Sequence, residues 1–246
     1  LNWSTGGPLG SVQFTNPAIF GSQYASTIRL AAENFSLFEY SRYGTSLNFE
    51  VARRVTRAFS YSAFAAMSAT TVSTDILTPE ELGPEDYALA TAGLSMMLDH
   101  RDSPVLTKKG WFVSGRLESS LDAGGSGAGF LRSDLRGAWY RPITKKLRFA
   151  AGAALMSIQG AAAGELPIDT RVFNGGPNTV RAFAERELGP VTPGGTPLGG
   201  TSAVVGSAEF SYEIYPNLEL AAFGDIGSLG RDDNSSPLDY SSDFRT

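Results

Sequence analysis

The chain has 246 residues, a net charge of −5, a single histidine and no cysteine. That length suits one β domain of barrel or sandwich type, and the missing thiols exclude disulfides, iron–sulfur clusters and thiolate zinc sites. The acidic balance argues against a nucleic-acid partner, and charged residues, at 18%, fall below the roughly 25% usual in soluble domains. No apolar run approaches the length of about 18 residues that a membrane helix needs, so any membrane crossing must be made by strands.

The sequence opens at Leu1 with no charged leader followed by an apolar run, as expected of a mature chain or an excised piece. Period-2 alternation then dominates, and helical periodicity is nearly absent. Ten strands are expected near 9–16, 23–35, 43–52, 57–68, 87–99, 111–121, 130–141, 147–158, 203–214 and 218–227. Leu47, Phe49 and Val51 alternate with Ser46, Asn48 and Glu50; Ala208, Phe210, Tyr212 and Ile214 alternate with Ser207, Glu209, Ser211 and Glu213. Strands of roughly 8–13 residues are long for globular sheets and right for membrane ones.

Short turns near 17–22, 53–56, 142–146 and 215–217 alternate with longer loops at 69–86, 122–129 and 159–202, while 101–110 is intermediate and takes a short-side slot. Outer-membrane barrels sort their connections in this way, with short turns periplasmic and long loops extracellular. A soluble sandwich also alternates, but nothing forces its loops to sort by parity. The expected fold is therefore all-β, an antiparallel transmembrane barrel of outer-membrane type, with a sandwich as the rival. Phe14, Phe59, Trp111, Trp139 and Tyr140 fall near strand ends, where either an interface girdle or a core would use them.

Candidate chemistry is sparse. His100 lies between Asp99 and Arg101-Asp102-Ser103-Pro104, a solvated polar turn by its Ser-Pro signal rather than a catalytic or metal site. Asp232, Asp233 and Asn234 lack the alternate ligand spacing of a calcium loop and read as a wet loop. No catalytic residue, metal site or cofactor site is expected. The conspicuous feature is the Gly/Pro-rich stretch 171–200, too long for an ordinary connection. It carries Arg181 in an apolar setting, and the strand beyond it places Asp225 on its polar face with Glu219 and Phe223. Either charge would be costly to bury alone, so the two are expected to pair.

The segment from Gly175 to Phe183, GGPNTVRAF, resembles the GG-x-x-(S/T)-(V/I)-R-G-(F/Y) signature of the outer-membrane assembly and secretion barrels, a superfamily that includes BamA, TamA and the two-partner-secretion transporters. Asn16 to Gly21 resembles the family's NPxxFG turn, and Asp99 to Gly110 its D-x-R-D-x-P…G turn. Gly189-Pro190, Pro197 to Gly200 and Val205 to Glu209 resemble the GP…PLGG…VGSAE continuation of the assembly branch, and residues 223–227 an F-x-D-x-G strand.

This resemblance implies that the loop at 159–202 enters the barrel lumen and that Arg181 locks onto Asp225. Gly175, Gly176, Val180, Phe183, Phe223 and Gly227 would support the motif. Stabilisation of the barrel and a functional lock are both open as roles for the pair. The family has Gly where this chain has Ala182, which would strain a left-handed backbone there. Residues 1–246 would be a single partial barrel holding the fourth to thirteenth of sixteen strands. The seam-forming first and last strands and the periplasmic POTRA modules would lie outside it.

The implied function is insertion or translocation of other outer-membrane proteins, without enzymatic chemistry or cofactor. Implied partners are outer-membrane lipids, unfolded outer-membrane or secreted clients, and periplasmic accessory proteins reached through POTRA modules. Alternatives are a two-partner-secretion pore exporting one specific partner, a passive porin, or a soluble β-sandwich binding module.

Overall fold

The computed structural model describes residues 2–4, 7–37, 39–125, 129–216 and 218–230. Among these, eleven strands form one antiparallel sheet in strict chain order. They are β1 (Asn2–Ser4), β2 (Gly7–Asn16), β3 (Ala25–Leu37), β4 (Tyr40–Arg54), β5 (Phe59–Ser73), β6 (Asp86–Asp99), β7 (Gly110–Asp122), β8 (Phe130–Pro142), β9 (Leu147–Gln159), β10 (Ser202–Tyr215) and β11 (Leu218–Gly230). A single sheet rules out the sandwich, which needs two. The fold is that of an outer-membrane-type barrel wall.

Three details differ from the expectation. The strand β1 is additional, pairing Asn2 with Leu9 and Ser4 with Gly7; three residues are too few to display an alternation. The strand β5 runs on to Ser73, so the following loop starts at 74 rather than 69. Loop sorting also has one exception: only two residues separate Leu37 from Tyr40 at the long-loop rim. Asn217, the end of one expected turn, and Asp232, Asp233 and Asn234 lie outside the described residues.

Register fixes which side chains share a face. Ser207 pairs with Asp225, Ala150 with Glu209 and Tyr140 with Ala150, so these side chains face the same way. That inner face carries Arg116 beside Glu118 and Arg132 beside Asp134, each an ion pair, and joins Arg148 of β9 to Glu219 of β11. The outer face is apolar and exposed on strand after strand, through Phe14, Leu30, Phe49, Met67, Leu94, Leu117, Leu135 and Phe210. Polar inside and apolar outside is the inverse of a water-soluble sheet protein and suits a hydrocarbon surround.

The buried core lies above the inner face rather than between two sheets. Leu166, Ile168, Val172, Val180 and Leu188 of the 160–201 connection are almost wholly buried, and they pack against Ile158, Val205 and Leu229 on one wall and Val72 and Tyr87 on another. A short helix, α1 (Pro79–Leu82), closes the second cluster with Leu82. Its start is fixed by a capping box in which Thr78 and Glu81 each bond the other's backbone N–H, with proline in the first turn.

Candidate functional site

The connection between β9 and β10 is a stack of tight turns. Two 3₁₀ turns at Ala163–Glu165 and Ile168–Thr170 lead in, and isolated bridges join Val172 to Gly200, Asn174 to Leu188 and Val191 to Pro197. At the tip, Gly176 N–H donates to the carbonyls of Val180 and Phe183. Gly175 has φ of 100°, and a Cβ there would lie 2.7 Å from the Ala184 carbonyl oxygen, so no other residue fits without a shift. Gly176, likewise left-handed at 106°, continues the turn that puts Val180 into the core and aims Arg181 at the wall.

Arg181 meets Asp225 through three hydrogen bonds. Its Nε donates to Oδ2 at 2.8 Å, its Nη2 to Oδ1 at 2.8 Å, and its backbone N–H to Oδ2 at 3.0 Å. The remaining arm, Nη1, donates to Glu209 Oε2 at 3.1 Å. The guanidinium lies over the Phe223 ring, 3.5 Å from its centre, a cation–π contact that also covers the ion pair. The Asp225 side chain is only 2% exposed, whereas those of Arg181 and Glu209 are 29% and 33% exposed. The carboxylate hydrogen bonds, that of Asp225 above all, raise the Arg181 pKa, so this cation is fixed.

Every residue singled out in the loop motif gathers here: Gly175 and Gly176 at the turn, Val180 and Phe183 in the packing beneath it, Phe223 and Asp225 on β11. Gly227, one inward position further along β11, lies beneath Val180 and Asn174. Ala182 has no left-handed backbone, so the glycine-to-alanine departure carries no strain.

The geometry adds contacts that the sequence analysis missed. Asn174, fully buried, donates from Nδ2 to the carbonyls of Val204 on β10 and Ser228 on β11, at 3.3 and 3.1 Å, while its Oδ1 accepts from Gly175 N–H. A second ionic anchor binds the loop to the far wall. Asp169 Oδ2 accepts from Arg42 Nε on β4 and from the Tyr87 hydroxyl on β6, both at 2.6 Å, and Arg42 Nη1 also reaches Glu33 on β3 at 2.5 Å. Arg186 donates to the Tyr40 hydroxyl at 2.8 Å, and Arg132 on β8 donates to the Thr170 carbonyl at 3.2 Å. In a flat sheet β4 and β11 would be about 34 Å apart. One compact loop bonds to both, so the sheet curls round it.

The D-H-R-D-S-P turn holds itself together. Asp99 takes a fork of two bonds from Arg101, and Asp102 Oδ1 accepts the backbone N–H groups of Ser103, Lys108 and Lys109. These donors, Lys109 foremost, hold the Asp102 carboxyl below its ordinary pKa. His100 stacks on Trp111 at 4.7 Å between ring centres.

The model of the Omp85 superfamily domain matches residues 3–246. Among solved structures, the fold is similar to BamA from Haemophilus ducreyi lacking POTRA domains 1-3, with TM-score 0.74 and 15% identity, over 90% of this chain and 49% of that one. It is also similar to CdiB from Acinetobacter baumannii, with TM-score 0.55 and 14% identity, over 92% of this chain and 40% of that one. CdiB from Escherichia coli gives TM-score 0.52 and 12% identity, over 89% and 41% of the two chains. At such identities the likeness is one of fold, and the chain spans about half or less of each of these proteins. With a family match across nearly its whole length, the chain belongs to the Omp85 superfamily.

Proposed function

We propose that residues 1–246 form one domain, part of the outer-membrane barrel of an assembly factor that inserts or translocates other outer-membrane proteins. The observation that carries this reading is the loop tethered to two walls of the lumen, by Arg181 to Asp225 and by Asp169 to Arg42. A passive porin needs an open lumen, and this loop occupies one end of it. The work is mechanical: an openable barrel offers an unpaired strand edge to which client strands can add. Long loops face outward from the cell and short turns face the periplasm, where POTRA modules and accessory proteins would deliver unfolded clients. Arg181 and Asp225 act as the lumen lock, supported by Gly175, Gly176, Val180, Phe183, Phe223 and Gly227.

The fold likeness to CdiB supports a second reading, export of one specific partner. Reconstituting the intact protein into vesicles separates the two. The assembly reading expects several unrelated unfolded barrel clients to reach heat-modifiable form faster than in empty vesicles. No acceleration of any of them, with passage of a single cognate secreted protein, would replace it with the export reading.

A further inference from the structure

Charge sorts between the two rims. The short-turn rim carries Arg53, Arg57, Arg141, Lys145 and Lys146, with Glu213 and Glu219 on its inner face, whereas Asp75, Glu80, Glu85, Glu185 and Glu187, with Arg186 among them, mark the long-loop side. The acids in the short turns, Asp99 and Asp102, are already engaged by Arg101 and by backbone N–H groups.

Register places two of the short-rim arginines on the outer face. Ala25 pairs with Ala52 and Arg53 with Tyr61, so Tyr24, Arg53 and Tyr61 form a row across the ends of β3, β4 and β5. Arg53 Nη1 donates to the Tyr24 hydroxyl at 3.3 Å and Nη2 to Gln23 Oε1 at 2.7 Å, and its guanidinium lies 5.2 Å from the centre of the Tyr24 ring. Among the described residues no carboxylate comes within ion-pair distance of Arg53, and its Nε is buried without an acceptor. Arg141 repeats the pattern on β8: it shares the outer face with Trp139, 6.0 Å from that ring, and Trp139 meets Phe149 edge-on at 6.1 Å. Each arginine stands one outward position beyond the apolar band, after Val51 on β4 and after Trp139 on β8.

A lipid-facing cation is costly at the middle of a bilayer and cheap at its interface, where aromatic rings also settle. A guanidinium fork there matches phosphate oxygens, and a basic rim attracts anionic lipid. We propose that the Arg53–Tyr24–Tyr61 and Arg141–Trp139 stations bind the headgroup phosphate of an anionic phospholipid, of the phosphatidylglycerol class, at the short-turn face. A protein partner approaching from below would meet the turn tips at Lys145 and Lys146. The two arginines point sideways among rings that a bilayer covers. The inference rests on reading the chain as an outer-membrane barrel with periplasmic short turns.

The test is electron paramagnetic resonance on the intact protein in phosphatidylcholine bilayers, with spin-labelled phosphatidylglycerol or phosphatidylcholine as probe. The wild type should immobilise the phosphatidylglycerol label preferentially. In Arg53→Gln/Arg141→Gln the relative association should fall by up to roughly fivefold per station. Arg53→Lys should keep most of the preference, and Arg136→Gln, in the lumen, should keep all of it. Equal immobilisation of both labels by the wild type, or a preference that survives the double substitution, would overturn the proposal while leaving the barrel in place. Immobilisation of neither label would overturn the barrel reading and the proposal with it.

Discussion

Val180 occupies the space that a side chain on Gly227 would need: a Cβ at 227 would lie 2.6 Å from Val180 Cγ2. The wall residue and the loop residue are complementary, one reduced to hydrogen so that the other can be fully buried. Asn174 Nδ2 crowds the same point at 2.9 Å. Gly227→Ala should therefore lift the loop tip and lower stability by about 1–3 kcal/mol through overpacking. Denaturant unfolding of the intact protein checks this, and an unchanged midpoint would mean that the loop does not rest on β11 as described.

Asp169 is the loop's hold on the far wall, and its removal leaves the half-buried Arg42 with only Glu33. Asp169→Asn should cost about 1.5–3 kcal/mol, the usual range for a hydrogen bond to a charged group. Tyr87→Phe should cost less, because Asp169 Oδ2 keeps its ion pair with Arg42. Equal losses for the two substitutions would show that the hydroxyl, rather than the ion pair, is the anchor.

Asn174 links the loop to two neighbouring strands by giving its amide hydrogens to their carbonyls. Asn174→Ala should cost about 1–3 kcal/mol, since buried acceptors lose their donor. Asn174→Asp should be worse, because it turns an acceptor-only group toward two carbonyl oxygens. Thermal melting of the pair against wild type settles the order, and an aspartate variant as stable as wild type would refute the assignment.

The turn after β6 should respond to acid. The Asp102 carboxyl has a lowered pKa because it accepts backbone N–H groups, so its contribution is present above the ordinary carboxylate value of about 3.9 and is lost as pH falls through the lower folded value. The amide proton shifts of Lys108 and Lys109 should stay constant down to that value and then move together. Asp102→Asn should abolish the step. Movement of both amides already at higher pH would contradict the proposed cause.

The strands were legible because one residue in two lies on the apolar outer face, and Arg181 with Asp225 because an isolated arginine in an apolar run needs a partner. Glu209 was readable in principle: it lies on the same alternating polar face as Ser207, which pairs with Asp225. Asp169 was not, because its partners Arg42 and Tyr87 lie 127 and 82 residues away and meet it only when the sheet curls. Asn174 sits among turn residues, where asparagine ordinarily serves its own backbone, so its reach to β10 and β11 left no local signature. The helix α1 did have one, Thr78 followed by Pro79 and Glu81, but four residues show no helical periodicity.

A double-mutant cycle on Arg181 and Asp225, read by unfolding of the intact protein, tests the lumen lock most directly. Arg181→Ala should be the more damaging single change, because it leaves a carboxylate that is 2% exposed with only a backbone N–H, whereas Asp225→Ala leaves the arginine its bond to Glu209. The coupling energy should be about 1–3 kcal/mol, and the Arg181–Glu209 cycle should give less, since that contact is single and a third open to water. Losses that simply add, with coupling within about 0.3 kcal/mol of zero, would contradict the lock.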